Sequence, residues 1–409
     1  MSKPLRIAYF LGDFPSASET FVLHQIAGMF AANQDVEVHA WQGSTRMRHS
    51  LLDKYGILKY VSFRPTVPDV KLWRVFKACY LAIFLLYSDR QRTSALFNMR
   101  RDMPLGEWVE LFFVAFSLRG GRTYDVIHAH FGPNGLMAVR LRQAGFLQGK
   151  IVTSFHGFDA NVVPHLLGKH YYEQLFKLGD GFIVSSLFIH RKLEMLGCAN
   201  HKIHRIAVGV DVEKWGFKEP RTSVSDKPVL ISVGRLVEVK GFAYAIAAMQ
   251  RVKEVFPELR YDVVGDGPLR EQLEQQVRDL KLQDSIRFCG LKSQDELVDM
   301  YHGADIFVMP SVRGHDGAEE GQGMVLLEAQ ASGLPVVATN SGGIAESVPD
   351  GVSLVKEKDS DALAQAIIDC LQAHQNKGYD GIKGYDFVCK NFDIEALNKQ
   401  LLKLYKQVA

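Results

Sequence analysis

Two carboxylates bracket the start of a helix in residues 320–335, EGQGMVLLEAQASGLP: Glu320 precedes Gly323, where the helix begins, and Glu328 lies inside it. The start of a helix presents unpaired backbone N–H groups and the positive end of the helix dipole, which suits a phosphate. Gly323 lets such a ligand approach closely, with Met324 and Val325 next in line. A carboxylate on either side would repel a phosphate unless each accepts hydrogen bonds from hydroxyls. A nucleotide sugar supplies hydroxyls at both ends, on its hexose and on its ribose. The competing reading is a solvated helix start, where acidic residues are favoured by the dipole alone.

Three loops have the residue types to complete such a site. VGRLVEVKG (233–241) follows an apolar run and carries Gly234, Arg235 and Lys240, and a leaving diphosphate requires cations there. Either charge alone would read as ordinary surface. VGDGPLR (264–270) places Gly265 and Gly267 in a strand-to-helix turn, and NSGG (340–343) offers Gly342 and Gly343 with free backbone N–H groups. In DVIHAH (125–130), His128 and His130 point to one face of a strand, a spacing that zinc accepts. No cysteine or third ligand lies close in sequence, which favours structural or acceptor-facing histidines, with no metal and no cofactor.

These loops need a scaffold that brings them together. Residues 5–11 form an apolar run, then come Gly12, Asp13 and Pro15, then residues 20–30 at helical spacing. That sequence is strand, loop, helix. It recurs at 36–41, 125–130, 151–155 and 181–185 and, after the polar stretch 219–227, restarts at 229–233 and continues through 260–264, 286–288, 306–310 and 335–339. Alternation of this kind predicts an α/β chain of two doubly wound, Rossmann-like domains, 1–210 and 228–390, joined by a linker, 211–227. An amphipathic helix, 391–409, closes the chain with Asp393 as its N-cap. Ligands of such domains bind in the cleft beyond the carboxyl ends of the strands.

Composition bounds the function class. At 409 residues, 47% hydrophobic and 23% charged, the chain reads as globular, and its five scattered cysteines form no disulfide or zinc framework. The N-terminus lacks the pattern of a secretory signal, so a cytoplasmic protein is expected. Residues 1–210 carry 25 Lys and Arg against 15 Asp and Glu, while the rest is acidic, so the front half suits a pyrophosphate acceptor or an anionic membrane. Residues 72–87, LWRVFKACYLAIFLLY, are apolar but include Arg74 and Lys77 and are too short to span a bilayer. Lys71, Arg90, Arg92, Arg100 and Arg101 flank them, as in an interfacial helix, although periodicity alone fits a buried helix equally well.

Taken in order and spacing, GRLVEVKG, VGDGPLR, EGQGMVLLEA and GLPVVATNSGG resemble the large retaining glycosyltransferase family numbered four, which has the GT-B fold. Gly321 and Gln322 depart from the family's E-P-F-G, while both glutamates and Gly323 stand. SETF (18–21), IHAHF (127–131) and TSFHGFD (153–159) are similar to members that build exopolysaccharide and O-antigen, including those resembling the colanic acid transferases. The resemblance implies transfer of a hexose, from a UDP-sugar in preference to a GDP-sugar, to a glycan or lipid-linked glycan. It implies work at the inner face of the membrane and no nucleic acid partner.

It further implies His156 beside the transferred sugar, Arg235 and Lys240 on the diphosphate, Glu320 on sugar hydroxyls and Glu328 on the ribose. Gly12, Gly265 and Gly267 would line the donor, residues 288–291 would border its base, and Ser18, Glu19, Thr20, His130 and Asp159 would face the acceptor. The rivals are a sugar-nucleotide epimerase of the same fold and a noncatalytic assembly subunit. A Rossmann oxidoreductase would need GxGxxG after its first strand, and LGDFPSASE does not supply it.

Overall fold

A computed structural model describes residues 3–16, 19–43, 49–218, 227–377 and 381–409. Its first sheet is parallel and seven-stranded: β1 (Arg6–Asp13), β2 (Asp35–Gln42), β3 (Val61–Phe63), β4 (Arg122–His130), β5 (Leu147–Phe155), β6 (Gly181–Val184) and β7 (Ile203–Arg205). The order is β3-β2-β1-β4-β5-β6-β7. A six-stranded parallel sheet follows: β8 (Val229–Val233), β9 (Arg260–Val264), β10 (Ile286–Gly290), β11 (Ile306–Met309), β12 (Val336–Thr339) and β13 (Ser353–Val355), ordered β10-β9-β8-β11-β12-β13. Each sheet reverses its winding beside its first strand, the switch point where open α/β sheets bind ligands. The three-residue strands β3, β7 and β13 went unforeseen because each is too short to show a period.

Both faces of each sheet are covered, which is why the strands read as near-continuous apolar runs. Along β1, Ile7, Tyr9 and Leu11 join one core while Ala8 and Phe10 join the other. In β11, Ile306 and Val308 face one layer of helices and Phe307 and Met309 the opposite layer. Within the expected linker, Val212 and Trp215 are buried in the second unit's core, and residues 219–226 lie outside the described residues.

The last helix, Ile394–Val408, starts where the sequence placed it: the Asp393 carboxylate accepts the Ala396 N–H at 2.8 Å. Its apolar face does not serve the neighbouring second sheet. Leu397, Leu401, Leu404 and Tyr405 pack with Ile7, Tyr9, Val22 and Ile26 of the first. The chain therefore crosses between units twice, and the crossings are stitched together by Val210 N–H to Phe392 C=O (2.8 Å) and Ile394 N–H to Val210 C=O (3.1 Å).

The helix Lys71–Ser88 is buried along one face only, as the core reading expects of that face. Ala78, Leu81, Ala82 and Leu85 are buried against the first core, while the opposite face is open. Among the described residues no helix is long and apolar enough to cross a membrane.

Leu401, 1% exposed, tests the docking of the last helix. Leu401→Ala should lower the unfolding free energy by about 2–5 kcal/mol in a urea titration followed by circular dichroism. A change near zero would mean that the helix is not part of the first unit's core.

Candidate active site in the interdomain cleft

Most described residues singled out for chemistry, except those inside helices, sit near the carboxyl end of a strand or in the loop that leaves it. Gly12 lies next to the end of β1, His130 closes β4 and His156 follows β5; Gly234 and Arg235 follow β8, Gly265 and Gly267 follow β9, and Gly342 and Gly343 follow β12. Glu320 lies in the long loop between β11 and the helix Met324–Ala331. The two sets of loops meet. A Cβ on Gly321 would lie 2.7 Å from the His156 carbonyl oxygen, closer than side chains are tolerated, and Gly157 (φ +116°) faces the same backbone. Glycine at 321 thus permits a backbone-to-backbone approach across the cleft that a proline would obstruct.

On the second-domain side, Lys240 Nζ and Glu320 Oε1 pair at 2.6 Å, with side chains 22% and 12% exposed. Gly241, at φ +66°, makes the turn that delivers Lys240; any side chain there would collide with the Pro310 carbonyl. Arg235 stands exposed beside them. The NSGG loop spends part of its backbone donors within the protein. Gly343 N–H is given to the Glu320 carbonyl (2.8 Å) and Asn340 N–H to Val355 (2.7 Å), and a Cβ on Gly342 would lie 2.2 Å from that Glu320 oxygen. This loop braces Glu320 because the chain must pass directly beneath it to reach β13.

The helix Met324–Ala331 begins at Gly323 (φ +82°), and no side chain caps it. Its first N–H groups are therefore available to a ligand. Glu328, one turn in, has its carboxyl pushed up to about 7, chiefly by burial and opposed by Lys214 and Lys240. Gly265 donates its N–H to Gly290 and lies so near Gly234 that a Cβ would meet its carbonyl at 1.9 Å, so this wall of the cleft is bare backbone. In 288–291, Phe288 packs on the core and Leu291 is exposed.

On the first-domain side, His156 is wedged among Phe21, Phe131 and His130, with ring centroids 4.9, 4.8 and 5.2 Å away. Its Nε2 shares a proton-mediated bond with His130 Nδ1 at 3.0 Å. Burial drives the His156 imidazole down to about 3, so it acts as a neutral ring at physiological pH. His130, expected to face the acceptor, is wholly buried beside His156. Its strand position turns it into the sheet's end, where it fixes the His156 ring. His128 lies deeper, bonded to Ser154 Oγ (2.7 Å) and to Tyr405 Oη (2.5 Å) of the last helix. Among the described residues no group of three or more His, Cys, Asp or Glu is placed to hold a metal.

Asp159 is the second correction on this side. Only 1% exposed, it does not face an acceptor but accepts the backbone N–H groups of Gly132 (2.8 Å), His156 (2.8 Å) and Gly157 (3.1 Å). It ties the loop after β5 to the loop after β4. Glu19 caps no helix N–H, yet stands half-buried at the cleft mouth, its carboxyl raised to about 7 by burial first and Asp13 second. Thr20 starts the adjoining helix, and Ser18 lies outside the described residues.

Contacts that clasp the two units were invisible to the sequence reading. Gln322 exchanges two hydrogen bonds with the backbone of Val208, 2.8 and 2.7 Å. Glu346 reaches across to accept Leu187 and Phe188 N–H at 2.7 and 3.0 Å, capping the helix Leu187–Met195. Lys192 and Glu319 pair at 2.9 Å. The one available signal was the departure of Gly321-Gln322 from the family pattern, whose cause is now plain: one residue makes room and the other makes the bonds.

Residues 213–378 match the description "Glycosyl transferases group 1", and residues 87–214 match "Glycosyltransferase Family 4". A protein of Salmonella typhimurium named as the colanic acid biosynthesis glycosyltransferase WcaL is 33% identical, covering 99% of this chain and 100% of its own. The amylovoran biosynthesis glycosyltransferase AmsK of Erwinia amylovora is 33% identical over 89% of this chain and 90% of its own. Among solved structures, Anabaena HepE in complex with UDP superposes with a TM-score of 0.71 over 98% of this chain and 100% of its own; at 18% identity the likeness is one of GT-B fold.

Asp159→Ala removes the acceptor that three backbone donors share. It should lower stability by about 2–3 kcal/mol in chemical denaturation and release the His156 loop, so that turnover falls even under conditions where the protein stays folded. Wild-type turnover in the folded variant would show that the loop needs no such tie.

Proposed function

Because this chain belongs to the family 4 glycosyltransferases, we propose that it moves a hexose from a nucleotide-diphosphate sugar to a glycan acceptor with retention at the anomeric carbon. The reading is carried by one observation: the Lys240–Glu320 pair and an uncapped helix start face a neutral His156 across a backbone-to-backbone domain contact. A cation, free N–H groups and a carboxylate match the charge and hydroxyl pattern of a sugar diphosphate.

Lys240 and Arg235 take the diphosphate together with the N–H groups of Met324 and Val325. Once Lys240 turns to the phosphate, Glu320 accepts hydrogen bonds from the hexose. Glu328 holds the ribose hydroxyls, and His156 contacts a hexose hydroxyl from the opposite wall. Gly12, where a Cβ would meet nothing within 4 Å, leaves the phosphate side open, and Gly265 and Gly267 form the nucleotide wall. As the C1–O bond breaks, its electron pair passes to the leaving phosphate oxygen. The acceptor hydroxyl enters on the same face and gives its proton to that oxygen. No protein nucleophile is needed, and the two cations meet the developing charge that a divalent metal meets elsewhere.

The names divide on the base: the Anabaena neighbour is a complex with UDP, whereas a Mycolicibacterium smegmatis relative, 28% identical over 69% of this chain, is named as GDP-mannose-dependent, so the uridine donor stands as the reading to be tested. Names of the relatives support a role in exopolysaccharide synthesis. The proposed acceptor is a lipid-linked glycan intermediate, met by the enzyme at the inner face of the membrane.

Turnover of a panel of UDP- and GDP-sugars with lipid extract, read by nucleotide release and by NMR of the product's anomeric proton, tests this directly. Retention and indifference to chelators are expected; inversion, or no turnover of any donor, would overturn it, the latter in favour of a noncatalytic subunit. Lys240→Ala should lower kcat by about 10²–10³-fold with the fold intact.

Donor binding should also depend on pH through Glu328. Its raised carboxyl holds a proton below about 7, and only the carboxylate accepts from both ribose hydroxyls. Donor affinity should therefore tighten as pH rises through that value, and calorimetry of Glu328→Gln should show a flat profile. A wild-type pH profile in Glu328→Gln would place the ionisation elsewhere.

A further inference from the structure

The open face of the helix Lys71–Ser88 is made of large side chains. Leu72 is 78% exposed, Trp73 61%, Phe76 66%, Tyr80 64%, Ile83 68% and Tyr87 94%. At 100° per residue these fall within an arc of about 100°, opposite the buried Ala78, Leu81, Ala82 and Leu85. Soluble surfaces scatter such residues singly, whereas a continuous apolar stripe marks a surface that is covered in use.

Charge identifies the cover. Residues 71–101 hold seven Lys and Arg against one Asp or Glu, and that acid, Asp89, is neutralised by Arg92 at 2.6 Å. Lys71, Arg90, Arg100 and Arg101 are exposed, and Lys77 and Arg74 rest against the carbonyls of Thr66 and Pro68 beside the stripe. Aromatic side chains with polar tips on one face, bordered by cations, suit the interface of an anionic bilayer. A shallow groove of about 630 Å³ between Pro68, Val70, Trp73, Phe76 and Tyr80 adds room for a lipid chain.

Position supplies the use. The helix begins eight residues beyond the carboxyl end of β3, the same sheet edge from which the loops after β1, β4 and β5 enter the cleft. A bilayer bound there lies alongside the first domain's wall of the site. We infer that the helix Lys71–Ser88 is an in-plane docking element that seats its aromatic stripe in an anionic membrane and so presents the cleft to a lipid-linked acceptor. The membrane contact stands on the stripe and its charges, while its purpose rests on the acceptor reading given above.

The test is flotation of the full chain with phosphatidylcholine vesicles, with and without phosphatidylglycerol. Wild-type protein should float with the anionic vesicles, less so in high salt. The combined variant Trp73→Ser, Phe76→Ser, Tyr80→Ser, Tyr87→Ser should lose at least about tenfold in partition while its melting curve stays in place, since these side chains are exposed. Lys71→Gln, Arg90→Gln and Arg101→Gln together should abolish the preference for anionic lipid. Donor turnover with a water-soluble acceptor should be unchanged in both, which separates failure of this inference from failure of the glycosyltransferase reading. A stable wild-type protein that never floats, a stripe variant that floats as well as wild type, or a dimer in light scattering that the stripe variant dissolves would each overturn it.

Discussion

The close approach of the Gly321 backbone to His156 and Gly157 is the constraint on which the site depends. Two sheets wound separately have no reason to oppose their loops in register, and a side chain at either glycine would wedge them apart. With the backbones in contact, Glu320 and Lys240 come to stand opposite the imidazole, and the donor pocket gains its second wall. The clasp around this contact is polar: Gln322 on Val208, Glu346 on a helix start, Lys192 on Glu319. These polar contacts orient the two units against one another.

Behind the contact lies a buried run of rings that the last helix completes. His156 rests on His130, His128 stands next to it, and Tyr405 from the far end of the chain reaches His128 and Tyr9. Burial keeps all three imidazoles neutral, so they orient one another by hydrogen bonds and packing and add no charge to the cleft. The first domain is thus built from both ends of the sequence. Its catalytic wall stays rigid because a helix that follows the second domain in sequence packs under the first domain's sheet.

Part of the charge asymmetry along the chain gathers in residues 71–101, which begin with one two-faced helix, Lys71–Ser88. Its inner face supplies small and aliphatic side chains to the core, and its outer face keeps rings and cations that no other described element covers. Amphipathicity alone could not assign these faces, because both are apolar. The packing separates them: Ala78, Leu81, Ala82 and Leu85 face inward, whereas Trp73, Phe76, Tyr80 and Tyr87 point out with Leu72 and Ile83.

The sequence by itself determined the fold class, the alternation of strands and helices, the Asp393 cap and the set of loops that meet in the cleft. Those features are local, set by the period of apolar residues and by glycines near strand ends, and the described loop residues proposed for the site lie in loops that leave the carboxyl ends of strands. Only the tertiary structure decided what each residue faces. His130 and Asp159 have the right types for acceptor contacts, but their surroundings bury them, and they hold His156 in place. The NSGG loop has the right glycines for a phosphate, yet the Gly343 N–H is taken by the Glu320 carbonyl. Tyr405, some 250 residues from His156, gave no signal at all. Spacing along a chain encodes which loops meet; burial and hydrogen-bond partners are set by contacts between distant segments, and no local pattern records them.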